Sequence, residues 1–97
     1  MKPAYLFVDI KVHDLEKMQP YLDKAAGTLA SFGGQPIVKG GEVLRLEGKE
    51  PRGSGVLIIR FPSMEQARAW YDSPEYQALI PFRTQASEAE FWLLEGV

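Results

Sequence analysis

Over residues 5–12, aliphatic side chains alternate with aromatic or charged ones, and this period of two residues is that of a β-strand. Asp9 and Lys11 fall on the face opposite Leu6, Val8 and Ile10. Because aromatic side chains share the face of Asp9, neither face of this predicted strand is fully polar. The aromatic positions are Tyr5 and Phe7.

An apolar stripe with spacings of three and four residues follows and predicts an amphipathic helix. Asp14, a good N-cap residue, precedes the stripe, and Gly33-Gly34 ends it. Proline is tolerated only in the first turn of a helix, so Pro20 predicts a helix that begins near Met18. Leu15–Lys17 is then expected to form a separate turn.

The middle of the chain predicts strands separated by a turn and a loop. Gln35–Lys39 reads as a short extended piece, and Glu42–Gly48 alternates like a strand. Lys49–Ser54 is polar, contains Pro and Gly, and predicts a loop. Gly55–Pro62 is apolar on both faces, which is typical of a central strand.

The last third predicts broken helices and a final strand. Ser63 with Gln66 forms a capping box, Ser73-Pro74 restarts the helix, and Pro81 interrupts it. Glu88–Glu95 closes the chain as a strand. The order β-α-β-β-α-β predicts an α+β, ferredoxin-like fold with an antiparallel sheet, as one domain over residues 1–97.

The apolar pattern predicts a sheet with two apolar faces, of which the helices cover only one. If Trp92 and Leu94 face the helices, the other face exposes a patch that is rare on a monomer. We expect a second copy to cover it, forming a homodimer through the sheet face as a dimeric α+β barrel; a ligand groove or a modest open patch is the alternative. The expected patch is Tyr5, Phe7, Val43, Val56, Ile58, Phe91 and Leu93, with the charges of Asp9, Arg45, Glu47, Arg60 and Glu95 on the same face.

Composition excludes several classes of function. The 97 residues contain no Cys and one His, which argues against thiol chemistry and against a Cys- or His-based metal site. A net charge of −2 gives no basic field for nucleic acid or a membrane surface. No apolar run is long enough for a signal peptide or a membrane span, so a cytoplasmic protein is expected. No cofactor and no metal are predicted.

Residues 61–77 read FPSMEQARAWYDSPEYQ and are the most distinctive stretch of the chain. They resemble the signature of domain-of-unknown-function family 1330, and Gly33-Gly34, Gly40-Gly41, Arg83 and the closing Leu94-Glu95-Gly96 are similar as well. The resemblance implies membership of the dimeric α+β barrel superfamily, which includes cofactor-free monooxygenases. No reactive residue of those enzymes can be transferred to a position in this chain.

Candidate site residues follow from side-chain chemistry. Arg60 and Arg83 could anchor an anion or a carboxylate. The alternative is a structural role, in an ion pair or at the end of a helix. Asp9 or His13 could move a proton, and Asp9 with Glu95 could form an acid–base pair; an idle His13 on the surface is the alternative. Apolar walls would come from aromatic side chains that could equally be core. These are Tyr5, Phe7, Trp70 and Tyr76.

Two classes of function remain open at this point. One is a small-molecule-binding protein or cofactor-independent enzyme with a cleft for a small aromatic or carboxylated metabolite. The other is a non-catalytic homodimeric binding or structural protein whose sheet-face charges are interface ion pairs. Convergence of Arg60, Asp9 and Arg83 on one open cavity would favour the first.

Overall fold

A computed structural model describes residues 1–50 and 55–97, so the predicted loop Lys49–Ser54 lies largely outside the described residues. The described strands form one antiparallel sheet crossed by two helical connections. The strands are β1 (Ala4–Val12), β2 (Gln35–Lys39), β3 (Gly55–Phe61) and β4 (Ser87–Glu95). The helices are α1 (Leu15–Leu29), α2 (Met64–Asp72), α3 (Pro74–Gln77) and α4 (Ile80–Thr84), with a 3₁₀ turn at Ala30–Phe32.

The strand order β2-β3-β1-β4 confirms the predicted ferredoxin-like fold. β1 pairs antiparallel with both β3 and β4, and β2 pairs antiparallel with β3. The helices pack on one face of the sheet. The core between them is formed by buried residues of β1, β3, α1, α2 and α3: Ala4, Leu6, Val8, Leu29, Ile59, Phe61, Ala67, Trp70 and Tyr76.

The first helix begins earlier than the sequence indicated. The side chain of Asp14 accepts a hydrogen bond from the backbone N–H of Lys17 at 3.1 Å, which caps a helix that starts at Leu15. Pro20 therefore lies inside α1, and the expectation of a separate turn at Leu15–Lys17 is wrong. An N-cap and the surrounding packing outweigh the hydrogen bond that Pro20 cannot make.

The second strand lies elsewhere than expected. Gln35–Lys39 pairs with β3, whereas Glu42–Gly48 forms no strand. Gly40 adopts a positive φ of 71° and donates its N–H to the Val56 carbonyl at 2.9 Å, so the chain turns off the sheet edge there. Residues 43–47 consequently do not lie on the sheet face, and the placement of Val43, Arg45 and Glu47 on that face is wrong.

The faces of β4 are the reverse of the expectation. Phe91 pairs with Val8 and Leu93 with Leu6, and both pack against the core under the helices. Trp92 and Leu94 lie on the open face and are 55% and 51% exposed. Both sets are apolar, so the alternation alone could not identify the inner one; the register with β1 decides it.

The second helical connection follows the predicted breaks. Ser63 caps α2 by accepting from the Gln66 backbone N–H at 3.1 Å. Ser73 accepts from the Tyr76 N–H at 3.3 Å and donates to the Trp70 carbonyl at 2.7 Å, so one hydroxyl ends α2 and begins α3. Pro81 lies in the first turn of α4. These breaks fold the segment into three short helices.

Candidate functional site

A cavity of about 300 Å³ lies between α1 and the sheet. Its walls are almost entirely apolar. Among its lining residues, Tyr21 and Lys39 are the titratable side chains, and Lys39 ends the edge strand β2. The cavity is open to one side, so a small molecule could enter without unfolding. It is lined by Leu6, Val8, Ile10, Val12, Met18, Tyr21, Leu22, Ala25, Ala26, Leu29, Pro36, Lys39, Leu57, Ile59, Trp70 and Phe91.

Trp70 forms a fixed part of the cavity wall. Its indole is 2% exposed and donates from Nε1 to the hydroxyl of Thr28 at 2.9 Å. The Thr28 hydroxyl in turn donates to the Ala25 carbonyl at 2.6 Å, within α1. The ring also packs on Tyr76, with the centroids 4.1 Å apart. Because its polar atom is satisfied and its ring is packed on both sides, Trp70 supplies a rigid aromatic surface.

Tyr21, Tyr76 and Arg83 form a polar cluster beside the cavity. The two hydroxyls are 2.7 Å apart and share a hydrogen bond. Arg83 is 7% exposed, and its guanidinium carbon lies 4.2 Å from the ring centroid of Phe91 and 5.8 Å from that of Tyr21. The cluster joins α1, α3 and α4, since each contributes one of these side chains.

The two hydroxyls of the cluster stay protonated at neutral pH. Burial is the main cause that raises the pKa of Tyr21, and the neighbouring Arg83 opposes that rise. Burial also raises the pKa of Tyr76 well above its usual range, and Tyr21 adds to the shift. Neutral hydroxyls can donate hydrogen bonds, so the cluster presents donors and one positive charge.

The structure separates the predicted site residues into two groups. Trp70, Tyr76 and Arg83 come together on the helix-covered side of the sheet. Tyr5 lies opposite Arg60 in the register of β1 with β3, so both belong to the open face. Phe7 and Asp9 share that face by alternation. Arg60 and Arg83 therefore lie on opposite sides of the sheet, and the expectation that they clamp one anion is wrong.

The predicted proton carriers lie away from the cavity. Asp9 is 8% exposed, on the open face opposite Val56. His13 lies in the turn after β1, with its Nε2 3.7 Å from a carboxylate oxygen of Glu88. Glu95 pairs with Ala4, on the opposite face and towards the other end of β1 from Asp9, so an acid–base pair of these two carboxylates does not form.

Sequence reasoning missed Tyr21 and Phe91, which border both the cavity and the cluster. Tyr21 lies three residues after Met18, at a helical spacing that continues the apolar stripe of α1. That spacing was a usable signal for Tyr21. Phe91 had no comparable signal, because its face depends on the register of β4.

The open face of the sheet carries a second aromatic cluster. Phe7 and Trp92 stack there with ring centroids 5.7 Å apart. Val56, Ile58 and Leu94 lie on the same face by their register with β1. This apolar surface is the corrected form of the patch that the sequence predicted, with Trp92 and Leu94 in place of Phe91 and Leu93.

Fold and cavity together define a ferredoxin-like α+β protein with a helix-covered apolar pocket. The chain belongs to the family described as "Domain of unknown function (DUF1330)", whose model matches residues 3–97. This finding confirms the resemblance of the FPSMEQARAWYDSPEYQ stretch. None of the curated proteins matches the chain significantly. Within the described residues, no helix is both long enough and apolar enough to span a membrane.

Solved structures share the fold at low sequence identity. A protein of unknown function from Rhodopseudomonas palustris, RPA0582, has a TM-score of 0.78 at 17% identity, covering 99% of this chain and 83% of that one. A dimeric ferredoxin-like protein of unknown function from Jannaschia sp. CCS1 has a TM-score of 0.70 at 13% identity, covering 96% and 98%. SnoaB, a cofactor-independent oxygenase from Streptomyces nogalater, has a TM-score of 0.64 at 14% identity, covering 97% and 92%.

Proposed function

We propose that this protein binds a small, predominantly apolar molecule in the cavity between α1 and the sheet. The observation that carries the proposal is the cavity itself: about 300 Å³, walled by aliphatic side chains and by the ring of Trp70. Ligand pockets are typically concave, mostly apolar and furnished with few polar groups. The Tyr21 hydroxyl and the Lys39 ammonium are the polar groups available to orient such a ligand.

We propose further that the protein acts as a homodimer joined through the open face of the sheet. The stacked Phe7 and Trp92 and the half-exposed Leu94 form an apolar surface that water covers in the monomer. Burial of apolar area contributes about 25 cal/mol per Å², so covering this surface favours association. The ferredoxin-like structure from Jannaschia sp. CCS1 is described as dimeric, which supports a homodimer here.

A cofactor-independent reaction on the bound molecule is the second candidate function. The fold is shared with a cofactor-independent oxygenase, and Tyr21, which lines the cavity, has a neutral hydroxyl that could donate a hydrogen bond to a reacting molecule. Asp9 and His13 do not line the cavity, so the proton-transfer role predicted for them gains no support from its geometry.

The cavity is tested by titrating the protein with 2-naphthol, 2-naphthamide and 2-naphthoate, and following backbone amide shifts by NMR. We expect the shifts to concentrate on cavity residues such as Ala25 and Leu57. Ala25→Phe should abolish them by filling the cavity, whereas Ala78→Phe, at an exposed position, should leave them unchanged. Absence of binding by all three probes, or shifts confined to the open face, would contradict the proposal.

The dimer is tested with a matched pair of leucines. Leu94→Glu puts a charge on the open face and should convert a species of twice 10.9 kDa into one of 10.9 kDa by light scattering. Leu15→Glu is the control, because Leu15 is 63% exposed on the helix side. A wild-type mass of 10.9 kDa at micromolar concentration would refute the dimer.

A further inference from the structure

Arg83 is a buried positive charge, and none of the described carboxylates pairs with it. The residue is 7% exposed, and its Nε is buried with no hydrogen-bond partner among the described residues. An unpaired buried charge is costly, so an anion that binds close to it would offset part of that cost.

The neighbours of Arg83 compensate its charge only in part. The Phe91 and Tyr21 rings offer their faces to the guanidinium, and such cation–π contacts are weaker than an ion pair when buried. The hydroxyls of Tyr21 and Tyr76 also interact with it. Both hydroxyls are neutral at physiological pH, so neither supplies a tyrosinate to balance the charge. The cluster keeps a net charge of +1 and spare donors.

The position of the cluster beside the cavity indicates that the compensating anion is a group of the molecule that fills the cavity. Tyr21 and Phe91, whose rings flank Arg83, both line the cavity. The guanidinium therefore lies directly behind the wall at that end of the cavity. Tyr21, whose hydroxyl is hydrogen-bonded to that of Tyr76, belongs to both the cluster and the wall. A ligand that fills the apolar cavity and ends in an anionic group would bring that group to this end.

We propose that the cavity's ligand is a small monocarboxylate, with an apolar body against α1 and the sheet and a carboxylate at the end bordered by Tyr21, where the Tyr21 hydroxyl donates to it and the positive charge of Arg83 behind the wall attracts it. The inference rests on the proposed binding function and names its ligand class. A buried positive charge attracts an anion across apolar protein more strongly than it would across water, so direct contact with the guanidinium is not required. Lys39 also lines the cavity, but it is exposed to water at the end of β2, whereas the charge of Arg83 is buried.

The test compares two probes of the same shape that differ in charge. Isothermal titration of the full-length protein with 2-naphthoate and 2-naphthamide should show the carboxylate binding at least about tenfold more tightly, as expected for hydrogen bonds to a charged group. Arg83→Gln should remove this preference, mainly by weakening the binding of the carboxylate. Arg68→Gln, which removes an arginine exposed on α2, should keep it.

The outcomes separate this inference from the proposed function. Equal or tighter binding of 2-naphthamide by the wild-type protein would overturn the carboxylate inference and leave the binding cavity standing. Binding of neither probe would overturn both. Should Arg83→Gln fail to fold by circular dichroism, Tyr21→Phe serves instead: it retains the ring and should reduce the preference for the carboxylate. An unchanged preference in a folded Arg83→Gln or Tyr21→Phe would refute the roles assigned to those residues.

Discussion

The two helical connections cross the same face of the sheet, yet they pack on it differently. α1 is one long helix that buries Met18 and Leu29 and leaves the cavity beneath it. The second connection is divided by Ser73-Pro74 and Pro81 into three short helices. These bury a larger share of their side chains, namely Ala67, Trp70, Tyr76 and Arg83, and Leu79 between α3 and α4 is buried as well.

The difference separates the closely packed part of the fold from the part that contains the candidate site. Breaks in the second connection let each short helix follow the twisted sheet and close its core. α1 is not divided in this way, and the cavity lies between it and the sheet, with Pro36 and Lys39 of the edge strand β2 among its lining residues. The polar cluster lies where the connections meet, because Tyr21 comes from the first, and Tyr76 and Arg83 come from the second.

The largest expected effect is that of alkaline pH, which should destabilise the polar cluster where the two connections meet. The pKa of both Tyr21 and Tyr76 is raised from 10.0 on folding. The unfolded chain therefore loses these protons first, and stability is fully present below about pH 10 and is lost as the pH rises above it. Each group contributes up to about 1.4 kcal/mol per pH unit. Urea denaturation from about pH 9 to about pH 11 measures the slope.

Tyr21→Phe supplies the control for the alkaline loss. The variant lacks one of the two titrating hydroxyls, so its stability should fall less steeply across the same pH range. A wild-type slope no steeper than that of Tyr21→Phe would show that the buried hydroxyls do not cause the loss.

The closely packed side at α2 and the cavity side at α1 can be compared by making the same alanine-to-leucine substitution in each helix. Ala67→Leu forces extra methylenes into the closed core of α2 and should cost about 1–3 kcal/mol of unfolding free energy. Ala25→Leu extends into the cavity under α1 and should change stability by less than about 1 kcal/mol, in the stabilising direction. Chemical denaturation measures both. Equal losses would mean that α1 is as closely packed as α2.

A glycine in α1 gives the smallest expected effect. A Cβ built at Gly27 would meet nothing within 4 Å, so Gly27→Ala should stabilise the helix by about 0.5–1 kcal/mol. Gly34→Ala is the contrasting control, since its Cβ would lie 2.8 Å from Phe61 Cε1 and should destabilise the fold. A thermal melt measures both changes. Destabilisation by Gly27→Ala would indicate a contact of this helix face with another molecule.

Local chemistry made much of the fold predictable. Ser63 and Ser73 are capping residues wherever they occur before a helical stripe, and Pro81 interrupts a helix for reasons internal to the backbone. The strand β3 was predictable because both of its faces are apolar. Pro20 was misleading, because the N-cap at Asp14 and the packing of α1 outweigh the one backbone hydrogen bond that a proline cannot make. The candidate site was less predictable, because Arg60 and Arg83 carry the same chemistry on opposite faces.

The sequence by itself determined the order of elements, the helix caps and breaks, and the existence of two apolar sheet faces, because each depends on residues a few positions apart. Only the tertiary structure decided which face of β4 is inner, that Gln35–Lys39 rather than Glu42–Gly48 completes the sheet, and that Tyr21 meets Tyr76 and Arg83. Those facts depend on strand register and helix placement. Register is fixed by contacts between distant segments, and a shift of one residue exchanges the two faces of a strand.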